Sequence, residues 1–143
     1  MVDALLMVDD DPRDRELMAR ALKKAGVTLD MVSVADGFEA LEYLFATGAH
    51  AGRAPGAPRA VILDLNLPGK HGLDVLRDVR QSAATRLVPV VILSSSSEES
   101  DVRAAYELGA NSYVQKPVDF DTFVEIARQI GVYWASVNLP HPA

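Results

Sequence analysis

With 143 residues the chain has the length of one domain able to bury its own core, and a content of 49% hydrophobic and 24% charged residues excludes general disorder, collagen-like sequence and low complexity. Acidic residues outnumber basic ones 20 to 14, for a net charge of −6, which disfavours a self-sufficient nucleic-acid-binding domain and favours an acidic pocket for a divalent cation. The absence of cysteine removes a disulfide scaffold, a thiolate zinc site and a cysteine nucleophile together, and is compatible with a reducing cytoplasm.

The start, MVDALLMVDDDP, has an apolar run too short for a secretory leader and carries acids where such a leader needs lysine or arginine; no stretch reaches membrane-spanning length. Leu5–Val8 is therefore read as a first strand, ended by Asp9 and Asp10, with Asp11 capping a helix that Pro12 opens and that Leu17, Met18, Ala21, Leu22 and Ala25 line. Gly26 stops it. Leu29–Val34 follows as a second strand, and Asp36 caps a helix carrying Phe38, Leu41, Leu44 and Phe45.

Thr47–Arg59, rich in glycine, alanine and proline, reads as a long surface loop within one domain. Beyond it lie a third strand (Ala60–Leu63), a helix (Leu73–Arg80), a fourth strand (Val88–Leu93), and a helix of about three turns ending near Gly109 with Val102, Ala105 and Leu108 inward. Asn111–Gln115 is the fifth strand. Asp119 then starts a long helix with Phe120, Phe123, Ala127, Ile130, Trp134 and Val137 along one face, and the tail Leu139–Ala143 is expected to fray. His50, His71 and His141 lack metal-ligand spacing and read as solvent-facing loop residues.

Short apolar runs alternating with helical segments predict an α/β fold, with continuous apolar strands buried on both faces of a parallel sheet. In such a sheet, polar residues just past the carboxyl ends of the strands gather along one edge, where ligands bind. Here that edge should bring together Asp9 and Asp10 from strand one, Asp64 from strand three, Ser94 from strand four and Lys116 from strand five. Each has a bland reading alone: a cap cluster, an acid at a strand end, a turn. Together, three mutually repelling carboxylates imply raised pKa values or a bound cation, and magnesium, which takes oxygen ligands, suits them. Lys116 can then hold a phosphoryl oxygen, Ser94 can donate to another, and Asp64 can be the nucleophile of an in-line phosphoryl transfer.

These residues carry a resemblance. The segments VDDDP, ILDLNLPG around Asp64, PVVILSSS and ANSYVQKP, in this order, resemble the receiver domain of two-component response regulators. The resemblance covers essentially the whole chain and implies a single (βα)5 receiver domain over residues 1–143, doubly wound and flavodoxin-like, with strand order 2-1-3-4-5 and no residues left for an output domain. It makes Asp64 the phosphoacceptor, Asp10 a direct magnesium ligand, Asp9 a ligand acting largely through water, and the Asn66 backbone carbonyl a further metal contact. Ser94 becomes the switch hydroxyl, Ser95 a phosphoryl contact through its amide, Lys116 the phosphoryl anchor and Tyr113 the switch aromatic. Within receivers, the long loop before strand three, the DLNLP turn, AYELGANSYVQKPVDF and the ending YWASVNLP are most similar to stand-alone regulators paired with phytochrome-type histidine kinases. Serine replaces the threonine common at the switch position, and Gly69-Lys70-His71-Gly72 lacks the acid that commonly precedes the glycine.

What the resemblance implies is a cytoplasmic phosphoacceptor that assists its own phosphorylation and dephosphorylation without being an enzyme in the usual sense. Its partners would be a sensor histidine kinase, a second copy docked through the fourth helix, fifth strand and fifth helix, or a histidine phosphotransfer protein if it acts as a relay intermediate; nucleic acid and membrane are not expected. A magnesium-dependent phosphatase with an aspartate nucleophile would share the strand-end chemistry, but it needs an acid/base two residues on, where Asn66 cannot shuttle a proton. A flavodoxin-like cofactor carrier would place its phosphate loop after strand one, where three aspartates repel an anion.

Overall fold

The computed structural model describes residues 2–142. Strands β1 (Ala4–Val8), β2 (Asp30–Val34), β3 (Ala60–Leu63), β4 (Val90–Ser94) and β5 (Ser112–Gln115) form one parallel sheet in the order β2-β1-β3-β4-β5. Helices α1 (Pro12–Lys24), α2 (Gly37–Phe45), α3 (Gly72–Gln81) and α4 (Glu99–Glu107) connect them, and α5 (Phe120–Val132) follows β5. Fold class and strand order are as the sequence predicts.

Alternation within the strands divides the core in two. Leu6, Val8, Val61, Leu63 and Ile92 pack with residues of α2, α3 and α4 on one face, while Leu5, Met7, Ile62, Val91 and Leu93 pack with α1 and α5 on the other. Each such aliphatic side chain contributes about 1.5–3 kcal/mol through burial. The central strands β1, β3 and β4 are wholly buried, as their continuous apolar runs require; β2 and β5, which lack such runs, lie at the edges and are partly exposed.

The caps follow the local signals. Asp11 accepts from the Arg13 N–H at 2.9 Å with Pro12 in the first turn, Asp36 accepts from Glu39 at 2.8 Å, and Asp119 from Thr122 at 2.9 Å.

The last helix departs from its predicted face. Phe123, Ala127 and Ile130 are buried, but Phe120 is 59% and Val137 64% exposed. Regular α geometry ends at Val132, and a π-helical turn, Tyr133–Val137, closed by the Asn138 N–H on the Tyr133 carbonyl, delays the phase so that Ala135 faces the core and Trp134 is only partly buried. Phe38 also lies outside the core, 57% exposed over Gly69.

The 47–59 loop is more built than its composition suggests. It contains a 3-10 turn, Gly48–His50, and Arg53 ties it to α2 by donating to the Tyr43 and Leu44 carbonyls while stacking 4.2 Å over the Tyr43 ring, and donates within the loop to the Gly56 carbonyl. His50 is correspondingly not a free loop residue: Nε2 lies 3.2 Å from Glu39 Oε2 and the ring meets Tyr43 edge-on. The described part of the tail lies beside the body, Pro140, His141 and Pro142 lining a cleft with Ala57, Leu87 and Pro89; Ala143 is outside the described residues.

Candidate functional site

Hydrogen bonds that run just beyond the strand ends set the candidate residues at the carboxyl edge. The Asp9 N–H donates to Val34 at 3.1 Å, the Asp64 N–H to Val8 at 3.0 Å, and the Lys116 N–H to Ser94 at 2.7 Å. This frame brings Asp9, Asp10 and Asp64 together with one carboxylate oxygen of each within 4.8 Å of the others. Asp9, Asp64 and Ser94 are buried, whereas Asp10 is exposed at the mouth. Gly72 supports Asp64 from behind: a Cβ there would sit 2.3 Å from the Asp64 carbonyl and 2.6 Å from Leu65 Cα, so only glycine lets α3 start this close to β3.

Lys116 Nζ lies 2.7 Å from Asp9 Oδ2, 2.9 Å from Asp64 Oδ2 and 2.9 Å from Asp14 Oδ2. Burial works against its charge, but the three carboxylates outweigh that and hold its pKa above the ordinary lysine value. Burial likewise pushes the Asp9 carboxyl up, and nearby Asp64 adds to this, while Lys116 and the Asp11 N–H oppose it. Asp9 Oδ2 is close to Lys116 yet has no aligned hydrogen bond, a buried oxygen left without a directional partner. Three converging carboxylates with one such oxygen fit a hard divalent cation of the magnesium or manganese kind.

Beside this edge, Ser94 Oγ accepts from the Ser96 N–H at 3.3 Å, and the Tyr113 hydroxyl donates to the Ser96 carbonyl at 2.8 Å. Burial raises the Tyr113 phenol pKa, partly offset by that bond. Asn66 and Ser95 are exposed at the rim, and the Asn66 N–H is 3.4 Å from Asp64 Oδ1. His71 lies outside the cluster and caps α3, its Nδ1 accepting from Leu73 at 3.1 Å.

Sequence reading missed Asp14, the third carboxylate on Lys116; its position in the first turn of a helix that starts at the site edge is the signal that could have found it. It also missed Arg15, which donates to the Asp9 carbonyl at 2.6 Å and holds the start of the acidic run.

A profile of the response regulator receiver domain matches residues 5–128. Among characterised proteins, the chain is 36% identical over 140 residues to the probable methanogenesis regulatory protein FilR2 of Methanothrix harundinacea, covering 97% of this chain and 88% of that protein. It is 33% identical over 137 residues to the response regulator Rcp1 of Synechocystis sp., covering 95% and 92%. Among solved structures, that of the phosphorylated cyanobacterial phytochrome response regulator RcpA superposes with a TM-score of 0.91 at 32% identity over 99% of this chain and 100% of that one. The Mn(2+)-bound form of Rcp1 gives 0.90 at 29% identity over 97% and 99%. The bacteriophytochrome response regulator RtBRR gives 0.77 at 46% identity over 99% and 86%.

Proposed function

The chain belongs to the response regulator receiver domain family, and from that premise we propose that it accepts a phosphoryl group on Asp64 from a sensor histidine kinase of the phytochrome type and signals through a changed α4–β5–α5 surface. The observation that carries this reading is the convergence of Asp9, Asp10 and Asp64 with Lys116 and Ser94 at one end of the sheet. The likeness to RcpA, Rcp1 and RtBRR supports the choice of kinase.

In this reading an Asp64 carboxylate oxygen bonds to phosphorus as the phosphohistidine P–N bond breaks, and the leaving imidazole nitrogen keeps the electron pair and takes up a proton. Asp9, Asp10 and Asp64, with the Asn66 carbonyl, would hold magnesium, which when bound offsets charge on the phosphoryl oxygens. Lys116, kept protonated by its carboxylate partners, releases Asp64 to pair with the incoming phosphoryl oxygens. Ser94 donates its hydroxyl to one of these oxygens, Ser95 offers its amide to another, and the shift of Ser94 alters the space beside Tyr113. The altered face then binds a second copy or a downstream protein.

Intact mass after incubation with acetyl phosphate tests this. Wild type with magnesium should gain one base-labile phosphoryl group, which Asp64→Asn and chelation each abolish. Gain of the group by Asp64→Asn would overturn the assignment of the acceptor. Reconstitution with a phytochrome kinase, compared with unrelated kinases, then tests the partner.

A further inference from the structure

Ser96 holds both halves of the Ser94–Tyr113 pair. Its N–H donates to Ser94 Oγ at 3.3 Å, and its carbonyl accepts the Tyr113 hydroxyl at 2.8 Å. Its side chain is in turn fastened: Ser96 Oγ donates to Asp101 Oδ2 at 2.6 Å and accepts the Glu98 N–H at 3.3 Å. Glu98 gives α4 no side-chain cap, so the Ser96 hydroxyl and Asp101 tie the first turn of α4 to the end of β4. A hydroxyl–carboxylate bond of this length is charge-assisted and stronger than a neutral one.

We propose that Asp101 is a positioning residue for this pair: by fastening Ser96 it presents one backbone unit to Ser94 and Tyr113 at once. With the Ser96 N–H on one lone pair of Ser94 Oγ, that oxygen is held in place while the Ser94 hydroxyl keeps its own hydrogen to donate. With the Ser96 carbonyl fixed, the Tyr113 ring is retained beside the site. Releasing Asp101 therefore loosens both groups together. What the pair does rests on the receiver reading above; the linkage itself does not.

The experiment uses the full chain carrying 3-fluorotyrosine. Of its four tyrosines, the Tyr113 fluorine resonance is assigned by its loss in Tyr113→Phe, and those of Tyr43 and Tyr133 report that the fold is intact. Ser96→Ala and Asp101→Ala should each move the Tyr113 resonance in the same direction, and the double variant should move it no further, as expected for two ends of one contact. Ser96→Thr, which keeps the hydroxyl, should restore it. Phosphorylation by acetyl phosphate and magnesium should slow about three- to tenfold in each single variant and in the double variant alike. A wild-type Tyr113 resonance in Asp101→Ala, or single effects that add in the double variant, would overturn the proposal. Because the fluorine measurement needs no phosphodonor, a wild type that takes up no phosphoryl group would sink the receiver reading while the linkage stands or falls by its own signal.

Discussion

Asp64 is held from behind by the one residue type that fits. At Gly72 a methyl group would press on two backbone atoms, the Asp64 carbonyl and Leu65 Cα, neither of which can swing aside. Gly72→Ala is expected to cost roughly 1–3 kcal/mol in urea denaturation, as overpacking does. Because the strain falls on the backbone of Asp64, phosphorylation by acetyl phosphate should also slow, by about ten- to a hundredfold if the carboxylate moves by a large part of an ångström. The neighbouring His71→Ala provides the contrast: losing the cap on Leu73 should cost about 1 kcal/mol with the phosphorylation rate unchanged. Equal loss of rate in both would mean that the start of α3 acts through its helix and not through the close approach.

Between elements, Arg80 of α3 is the main polar connector on its face of the sheet. Its guanidinium donates to the Val88 carbonyl at 2.7 Å, to the Gly109 carbonyl at 2.8 and 3.0 Å, and to Asn111 Oδ1 at 2.9 Å, joining α3 to the entry of β4 and to the turn before β5. Asn111 Oδ1 accepts the Val90 N–H as well, so the same cluster sets where β4 begins. Burial lowers the Arg80 pKa without threatening its charge. Arg80→Ala should lower unfolding free energy by about 2–3 kcal/mol, since several carbonyls lose a charged donor. Arg80→Lys should recover less than half, because an ammonium cannot span the same fork. Full recovery by lysine would reduce the role of Arg80 to its charge.

Over the whole molecule, the acidic edge trades stability for binding. The Asp9 carboxyl has its pKa raised in the folded state, chiefly by burial, so the native protein holds that proton more tightly than the unfolded chain. The stability it contributes is complete below the unfolded value of 3.8 and is lost as pH rises through the higher folded value. Asp9→Asn should therefore raise the melting temperature of the metal-free protein at pH 7, by about 3–8 °C for 1–2 kcal/mol, and leave it nearly unchanged at pH 3.5. The Asp11 N–H can still donate to the Asn side-chain oxygen, and Lys116 keeps Asp64 and Asp14; the Asn amide NH2 then stands where Oδ2 faced the Lys116 ammonium, a donor against a donor, which offsets part of the gain. The same variant should lose most of the magnesium-induced rise in melting temperature. A fall in metal-free melting temperature at pH 7 would show that the Asp9–Lys116 attraction outweighs burial.

The linear chain by itself determined the order of elements, the capping aspartates and the strand-end cluster. Parallel strands joined by helices must all point the same way, so residues one step past each apolar run meet at one edge whatever the packing details. Asp9, Asp10, Asp64, Ser94 and Lys116 were legible for that reason, and the receiver resemblance rests on the same residues. Tertiary structure alone decided what depends on distances across the fold. Asp14 reaches Lys116 only because α1 begins over the site, Arg80 finds Gly109 and Asn111 29 and 31 residues away, and Gly72 matters because α3 is pressed against β3. Helical periodicity misplaced Val137 because it assumes one pitch to the end, and a π turn resets the face that meets the core, whereas Phe120 is exposed as the first residue of α5, ahead of the packed stretch. Ser96 read as one of four serines in a row until the Tyr113 hydroxyl and the Asp101 carboxylate arrived on it from β5 and α4. Local pattern specifies which backbone each segment adopts, whereas the partner of a polar side chain is set by where the rest of the chain has already been packed.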